Sequence, residues 1–220
     1  MHKIALIGAG RIGRIHGANV VAHPGLALSH VVDPIAESAA AAARAFDAEI
    51  SDFDAVLADP SVAGVVVASS TDTHLDYSVR AHAAGKAVFC EKPLDMDLAR
   101  ARAAADSLKG ARLFLGFNRR FDPNFRALKA ALDAGRVGGL ESLQITSNDP
   151  SPPPVSYVKV SGACSRTWRS TTLTWPAGSW ARSPRRCSPG AVAWSIPASA
   201  RPATWTRRGH SFGPHRAGSA

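Results

Sequence analysis

Residues 163–220 contain no aspartate, no glutamate and no lysine. They hold nine arginines, all five tryptophans (Trp168, Trp175, Trp180, Trp194, Trp205), and Leu173, Val192 and Ile196 as their only Leu, Ile or Val. Such a segment has too few aliphatic side chains to bury a core, and we expect it to be disordered. The formal net charge of +9 sits entirely there, because residues 1–162 balance 17 basic against 17 acidic side chains. The charge is therefore no property of the first 162 residues, and it implies no nucleic-acid footprint on them. Cysteine is scarce as well. Cys90, Cys164 and Cys187 form neither a metal-ligand spacing nor an even disulfide framework, which points to a reducing, cytoplasmic setting and to no metal. No run is long and apolar enough to span a membrane, and no basic segment followed by an apolar one opens the chain as a secretory signal would. At 220 residues the chain has room for one large domain or two small ones.

What is present is concentrated at the start. Ile4 to Ile7 is a short apolar run of strand-forming residues, and Gly8-x-Gly10-x-x-Gly13 follows it and leads into a helical pattern. Strand, glycine turn and helix in that order form the dinucleotide-binding pattern. Gly8 permits the tight turn, Gly10 lets main chain approach a pyrophosphate, and Gly13 lets the helix pack close on the strand. The helix N-terminus offers N–H groups and a partial positive charge to phosphate. Asp33 lies twenty residues beyond Gly13, at the end of the apolar run Leu28 to Val32. A carboxylate there binds ribose hydroxyls and repels a 2′-phosphate, which favours NAD over NADP.

The rest of the first half alternates. Helical patterns at 11–22, 34–46, 53–57, 73–84 and 95–108 are interleaved with strand-like runs at 28–33, 48–50, 64–68, 87–90 and 112–115. Alternation of this kind predicts an α/β fold with a doubly wound parallel sheet, and ligands of such sheets bind outside the carboxyl ends of the strands. Two post-strand loops therefore matter. Ser69-Ser70-Thr71-Asp72-Thr73-His74 follows the fourth run; its hydroxyls serve either as helix N-caps or as cofactor contacts, and His74 by itself reads as a surface histidine. Glu91-Lys92-Pro93 follows the fifth; a lysine at the sheet mouth can donate to a substrate hydroxyl and help move its proton, with Glu91 orienting it, although by spacing alone an exposed Lys-Pro turn is the better account. Pro93 permits a cis bond.

Taken together, Gly8-x-Gly10-x-x-Gly13 with Asp33, Thr71-Asp72-Thr73-His74, Glu91-Lys92-Pro93 and Gly116-Phe117-Asn118-Arg119-Arg120-Phe121-Asp122 resemble the glucose-fructose oxidoreductase/inositol dehydrogenase/rhizopine catabolism (Gfo/Idh/MocA) family. Phe117 to Phe125 and Pro152 to Gly162 most resemble its inositol 2-dehydrogenase branch. The resemblance covers residues 1–162. It implies a Rossmann domain over 1–117, the start of a second, α+β substrate domain over 118–162, and a tail over 163–220. Within the second domain a helix is expected over 124–134 and a strand over 140–146. It implies NAD-dependent oxidation of a ring secondary alcohol on a cyclic polyol or sugar. Lys92 is then the catalytic lysine, and Gly8, Gly10, Arg11, Ile12, Gly13, Asp33, Ser70, Thr71, His74, Glu91, Lys92 and Arg119 form the cofactor set. Lys92 and Lys159 face the substrate. The family's homo-oligomers assemble through a sheet that this chain lacks, so assembly is not expected here, and the uncovered helix face and strand edge of the stub favour aggregation.

The resemblance stops at Gly162. In the family a helix follows there that carries an Asp and, one turn later, a His that takes the alcohol proton. This chain instead reads Ala163-Cys164-Ser165-Arg166-Thr167-Trp168-Arg169-Ser170-Thr171. Read one base earlier, the Thr-Trp pairs at 167–168 and 174–175 can both spell Asp-Met. The run as a whole can then be read as Gly-Leu-Phe-Lys-Asp-Met-Ala-Ile-His-Asp-Phe-Asp-Met-Ala-Arg-Trp-Leu. Thr167 stands where the Asp belongs and Thr171 where the His belongs. Residues 163–220 are accordingly read as an out-of-frame translation, and the chain as written is expected to bind NAD with little or no turnover. The alternative is a non-catalytic nucleotide-binding module whose Arg- and Trp-rich tail binds single-stranded nucleic acid by phosphate contact and stacking. Salt-sensitive oligonucleotide binding by the full chain, but not by residues 1–162, separates the two.

Overall fold

A computed structural model describes residues 1–136 and 138. The strand expected over 140–146, Lys159 and the tail lie outside the described residues. Six strands, β1 (His2–Ile7), β2 (Leu26–Val32), β3 (Glu49–Ile50), β4 (Val62–Val67), β5 (Ala87–Cys90) and β6 (Leu113–Leu115), alternate with α1 (Arg11–Ala22), α2 (Ala36–Phe46), α3 (Phe53–Ala58), α4 (His74–Ala83) and α5 (Leu98–Ala103). α6 (Pro123–Asp133) follows β6. All strand pairs are parallel, and the sheet order is β3-β2-β1-β4-β5-β6. The chain winds outward from β1 to β3 and then returns to the other side of β1. This is the Rossmann arrangement, and its order reverses between β1 and β4.

The apolar side chains divide between the two faces because side chains alternate along a strand. Ala5, Ile7, Val65, Val67, Val88 and Cys90 pack with Phe53 and Val56 of α3 and Ala81 of α4. Leu6, Leu28, Val31 and Val66 pack with Val20 of α1 and Ala39 and Ala42 of α2. Right-handed crossovers put α1 and α2 on one face and α3 and α4 on the other. Among the described residues, the helices on the α1 face stop short of β5 and β6. An apolar groove of about 420 Å³ runs there past Val20, Leu26, Val66, Phe89 and Phe114. Phe114 is left 46% exposed, and α6 buries none of its residues. Cys90 is fully buried, and burial pushes its thiol pKa up to about 11.

Several element bounds differ from the sequence expectation, for local reasons. The helix expected from Pro34 begins at Ala36, because Asp33 Oδ1 accepts from the Ile35 N–H at 2.8 Å and holds Pro34 in a turn. The helix expected over 95–108 is confined to Leu98–Ala103. Asp95 Oδ1 takes the Asp97 N–H, and Asp97 Oδ1 takes those of Ala99 and Arg100, so the helix starts late. Beyond it, the Ala105 N–H bonds to Arg102 O and that of Lys109 to Asp106 O, three residues back, which is tighter than α-helical winding. The expected helix at 73–84 opens as a 3-10 turn over Thr71–Thr73 before α4.

Candidate functional site

The strands end together at one edge, and main-chain bonds carry the ladder one residue past them. The Ala68 N–H donates to Ile7 O at 2.8 Å, the Glu91 N–H to Val67 O at 2.9 Å, and the Gly116 N–H to Cys90 O at 2.8 Å. These bonds place Gly8, Ser69, Glu91-Lys92 and Gly116 side by side along the edge where the order reverses.

Gly8 turns with φ +95°, and a Cβ there would lie 2.6 Å from the Ser69 main chain. The turn after β1 therefore nests directly against the loop after β4. A Cβ on Gly13 would lie 1.9 Å from the Gly8 carbonyl oxygen, so α1 sits as close to its strand as glycine alone allows. Gly10 differs: nothing lies within 4 Å of a Cβ built there, and no side chain caps the helix that it precedes. Main chain with open space above it and a helix N-terminus behind it is the shape a pyrophosphate requires. Asp33, one residue past β2, is held beside this turn. Its Oδ2 accepts from the Ala9 N–H at 2.6 Å and its Oδ1 from Ile35. Each carboxylate oxygen keeps capacity for a further hydrogen bond, which suits a pair of ribose hydroxyls. The residues present thus fit a dinucleotide.

At the end of β5 the Lys92-Pro93 bond is cis. Glu91 does not reach forward to the lysine side chain as a simple orienting partner. Its Oε1 pairs with His16 Nε2 at 2.8 Å, and its Oε2 accepts from the main-chain N–H of Lys92 at 3.2 Å. Burial pushes the Glu91 carboxyl pKa up, but the His16 hydrogen bond and charge, the Lys92 N–H and the Lys92 charge outweigh it and hold the group below its ordinary value. A carboxyl whose folded-state pKa is depressed stabilises the fold above its unfolded pKa of about 4.3 and loses that contribution as the pH falls through the folded value. The stability difference between the wild type and E91Q should therefore be largest at neutral pH and shrink below about pH 4. Thermal melts at pH 7 and pH 3 that differ by the same amount would show that no carboxylate bond is at stake.

His74 corrects the sequence expectation twice. It is no surface residue, being 2% exposed. Nor is its ring turned to a cofactor, because Nδ1 lies 2.7 Å from the Pro93 carbonyl and Nε2 3.2 Å from that of Ser69. Helical register explains the first error: with Leu75, Ser78 and Ala81, His74 belongs to the buried stripe of α4. Neither Ser70 nor Thr73 caps a helix with its side chain. Thr73 Oγ1 instead donates to Ser70 O and meets Ser69 Oγ at 2.7 Å. Arg11 and Ile12 open α1, and Ser70 and Thr71 stand on the loop after β4. Arg119 stands on the short Asn118–Arg120 turn after β6, its guanidinium 3.8 Å from Asp122 Oδ2 and over the Phe125 ring.

Sequence reasoning passed over His16 and Phe89, whose rings lie 4.8 Å apart. The signal was available: Gly13, Gly17 and Val20 are the buried residues of α1, and His16 lies on the same stripe. Among the described residues no cluster of His, Cys, Asp or Glu could hold a metal, and no helix is long and apolar enough to cross a membrane.

The sequence profile described as "Oxidoreductase family, NAD-binding Rossmann fold" (GFO_IDH_MocA) matches residues 2–118. The inositol 2-dehydrogenase of Rhizobium meliloti strain 1021 is 45% identical over 166 residues, covering 74% of this chain and 50% of that protein. A crystal structure of a myo-inositol dehydrogenase from Corynebacterium glutamicum superposes with a TM-score of 0.73 at 41% identity, over 79% of this chain and 53% of that one. A myo-inositol dehydrogenase from Lactobacillus casei, crystallised with NAD(H) and myo-inositol, superposes with a TM-score of 0.59 at 34% identity, over 62% and 42%. The chain spans about half the length of the curated relatives it matches.

Proposed function

The chain belongs to the Gfo/Idh/MocA oxidoreductase family, whose NAD-binding Rossmann fold it carries over residues 2–118, and from that premise we propose that it is the cofactor-binding part of an inositol 2-dehydrogenase-like enzyme. The substrate class is a cyclic polyol or sugar with a ring secondary alcohol, oxidised to the ketone. Residues 1–117 form the cofactor domain, 118–162 the start of the substrate domain, and 163–220 an out-of-frame tail. The observation that carries the reading is the fixed Asp33 carboxylate beside the Gly8–Gly13 turn, with Lys92 on the same sheet edge.

In this reading the N–H groups of Arg11, Ile12 and Gly13 at the start of α1 hold the pyrophosphate, with Gly10 leaving it room. Asp33 receives the ribose hydroxyls. Ser70, Thr71, Glu91 and Arg119 border the rest of the cofactor. When bound, NAD supplies the hydride acceptor. Lys92 Nζ donates a hydrogen bond to the reacting alcohol oxygen and stabilises the charge that grows there as the proton leaves. Lys92 and Lys159 hold the polyol.

Calorimetry tests the cofactor half. The wild-type chain should bind NAD at least about tenfold more tightly than NADP, since Asp33 faces the 2′-position. D33A should weaken NAD about tenfold, the worth of a charged hydrogen-bond pair, and erase the preference. Equal affinity of the wild type for NAD and NADP would remove Asp33 from the site.

A further inference from the structure

We propose that His16 and His74 clamp the Glu91-Lys92-Pro93 turn from the two faces of the sheet and act as positioning residues for Lys92. The inference rests on the reading of Lys92 as the substrate-facing lysine. α1 and α4 lie on opposite faces, and each sends one histidine to the same three-residue turn. From the α1 face, His16 Nε2 holds Glu91 Oε1 at 2.8 Å while Glu91 Oε2 accepts the Lys92 N–H. The His16 ring is itself backed by Phe89. From the α4 face, His74 Nδ1 holds the Pro93 carbonyl at 2.7 Å and Nε2 meets Ser69 O at 3.2 Å. The backbone of His74 is seated in turn, since its carbonyl accepts from the fully buried Ser78 hydroxyl at 2.7 Å.

The consequence concerns the main chain on either side of Lys92. The N–H before its Cα is tied to α1 through Glu91, and the carbonyl of the following residue is tied to α4 through His74. The His74 ring also lies between the loop after β4 and the loop after β5, its Nδ1 on the Pro93 carbonyl and its Nε2 3.2 Å from that of Ser69. A lysine side chain has a long flexible stem, so its root must be held if Nζ is to meet a substrate oxygen; displacement by about 1 Å costs on the order of 10² in rate. Both partners of His74 are carbonyls, which only accept, so the short contact assigns a proton to Nδ1.

The two histidines use different nitrogens, and this gives a crossed test on the full chain. A glutamine amide reaches near the Nε2 position of a histidine, and an asparagine amide near Nδ1. H16Q and H74N should therefore keep wild-type hydrogen exchange at the Lys92 amide, while H16N should speed it about tenfold, the worth of one hydrogen bond to a charged group, and H74Q about fivefold, the worth of one to a neutral carbonyl. NAD affinity measured by calorimetry should fall in the same two variants and hold in the other two. A role in packing alone would make Asn and Gln equivalent at each position, and that result overturns the proposal. A measurement on the unmutated chain guards against variants that do not fold: the His74 imidazole should show a slowly exchanging proton on Nδ1 by nitrogen-resolved NMR, and its absence overturns the His74 arm. If the crossed exchange pattern appears but the wild type binds no NAD, the cofactor reading falls and the clamp stands. If NAD binds and the pattern is absent, the clamp falls alone.

Discussion

Supplied with NAD and myo-inositol, the chain as written should release no NADH above background, and restoring the reading frame after Gly162 should raise turnover by at least about 10⁴-fold. The expectation follows from what stands after Gly162. Residues 163–220 contain no acid, and their only histidines are His210 and His215. Thr167 and Thr171 occupy the places where the one-base shift puts Asp and His. A threonine hydroxyl has no basic lone pair to take a proton at neutral pH, so Lys92 would polarise the alcohol with nothing to remove its proton. Loss of a general base alone costs about 10²–10⁴, and loss of substrate positioning multiplies it. The comparison needs two plasmids, one coding the chain as written and one carrying the one-base correction, with NADH followed at 340 nm. Sequencing across codons 155–185 comes first. A one-base difference from the chromosome makes the tail an artefact, whereas DNA that agrees with the chain as written leaves a disrupted or repurposed gene, of whose product nucleotide binding without turnover is expected. Turnover by the uncorrected chain would refute the reading of residues 163–220.

The second large effect separates the fold from the cofactor site within one glycine turn. G13A places a Cβ 1.9 Å from the Gly8 carbonyl oxygen and 2.9 Å from its carbon, both main-chain atoms that cannot rotate away. α1 must retreat from β1, which opens the packing of Leu6 and Val20 in the core of that face. Overpacking against backbone costs about 3 kcal/mol or more, a loss of roughly 10 °C in Tm, and NAD binding goes with it. G10A is the contrast. Its Cβ meets nothing within 4 Å and its φ of −68° is ordinary for alanine. An alanine in place of glycine at an N-cap costs only tenths of a kcal/mol to about 1 kcal/mol, so Tm should move by a few degrees at most. NAD affinity should nonetheless fall at least about tenfold, because in the proposed site the new methyl would stand where the pyrophosphate approaches. Equal losses of Tm in the two variants, or unchanged NAD affinity in G10A, would remove Gly10 from the cofactor cradle. Differential scanning fluorimetry with and without NAD reads both quantities at once.

The alternation of short apolar runs with helical patterns was enough to place all six strands to within two residues at either end, and with them the parallel, doubly wound sheet. The reason is physical. Strands buried on both faces must be continuously apolar, and glycine and proline mark where they stop. The residues after each strand could be named for the same reason, since topology alone sends ligands to that edge. Helix starts were less legible. At Pro34 and at Asp95–Asp97 the outcome turned on carboxylates that bond neighbouring N–H groups, and local competition of that kind leaves no periodic trace.

Distance along the chain hid the rest. His16 and Glu91 are 75 residues apart, His74 and Pro93 nineteen, and Ala9 and Asp33 twenty-four. Sequence by itself determined which residue types reach the sheet edge: the glycine turn, Asp33, the hydroxyl loop and Glu91-Lys92-Pro93. Tertiary structure alone decided what those residues touch there. It gave the Glu91 carboxylate to His16 and to the Lys92 amide instead of the Lys92 side chain, and it turned His74 inward onto two carbonyls. A strand pattern says that a loop must follow, but hydrogen-bond partners are settled only when sheet order brings the ends of β4 and β5 together and packs α1 and α4 on opposite faces against them.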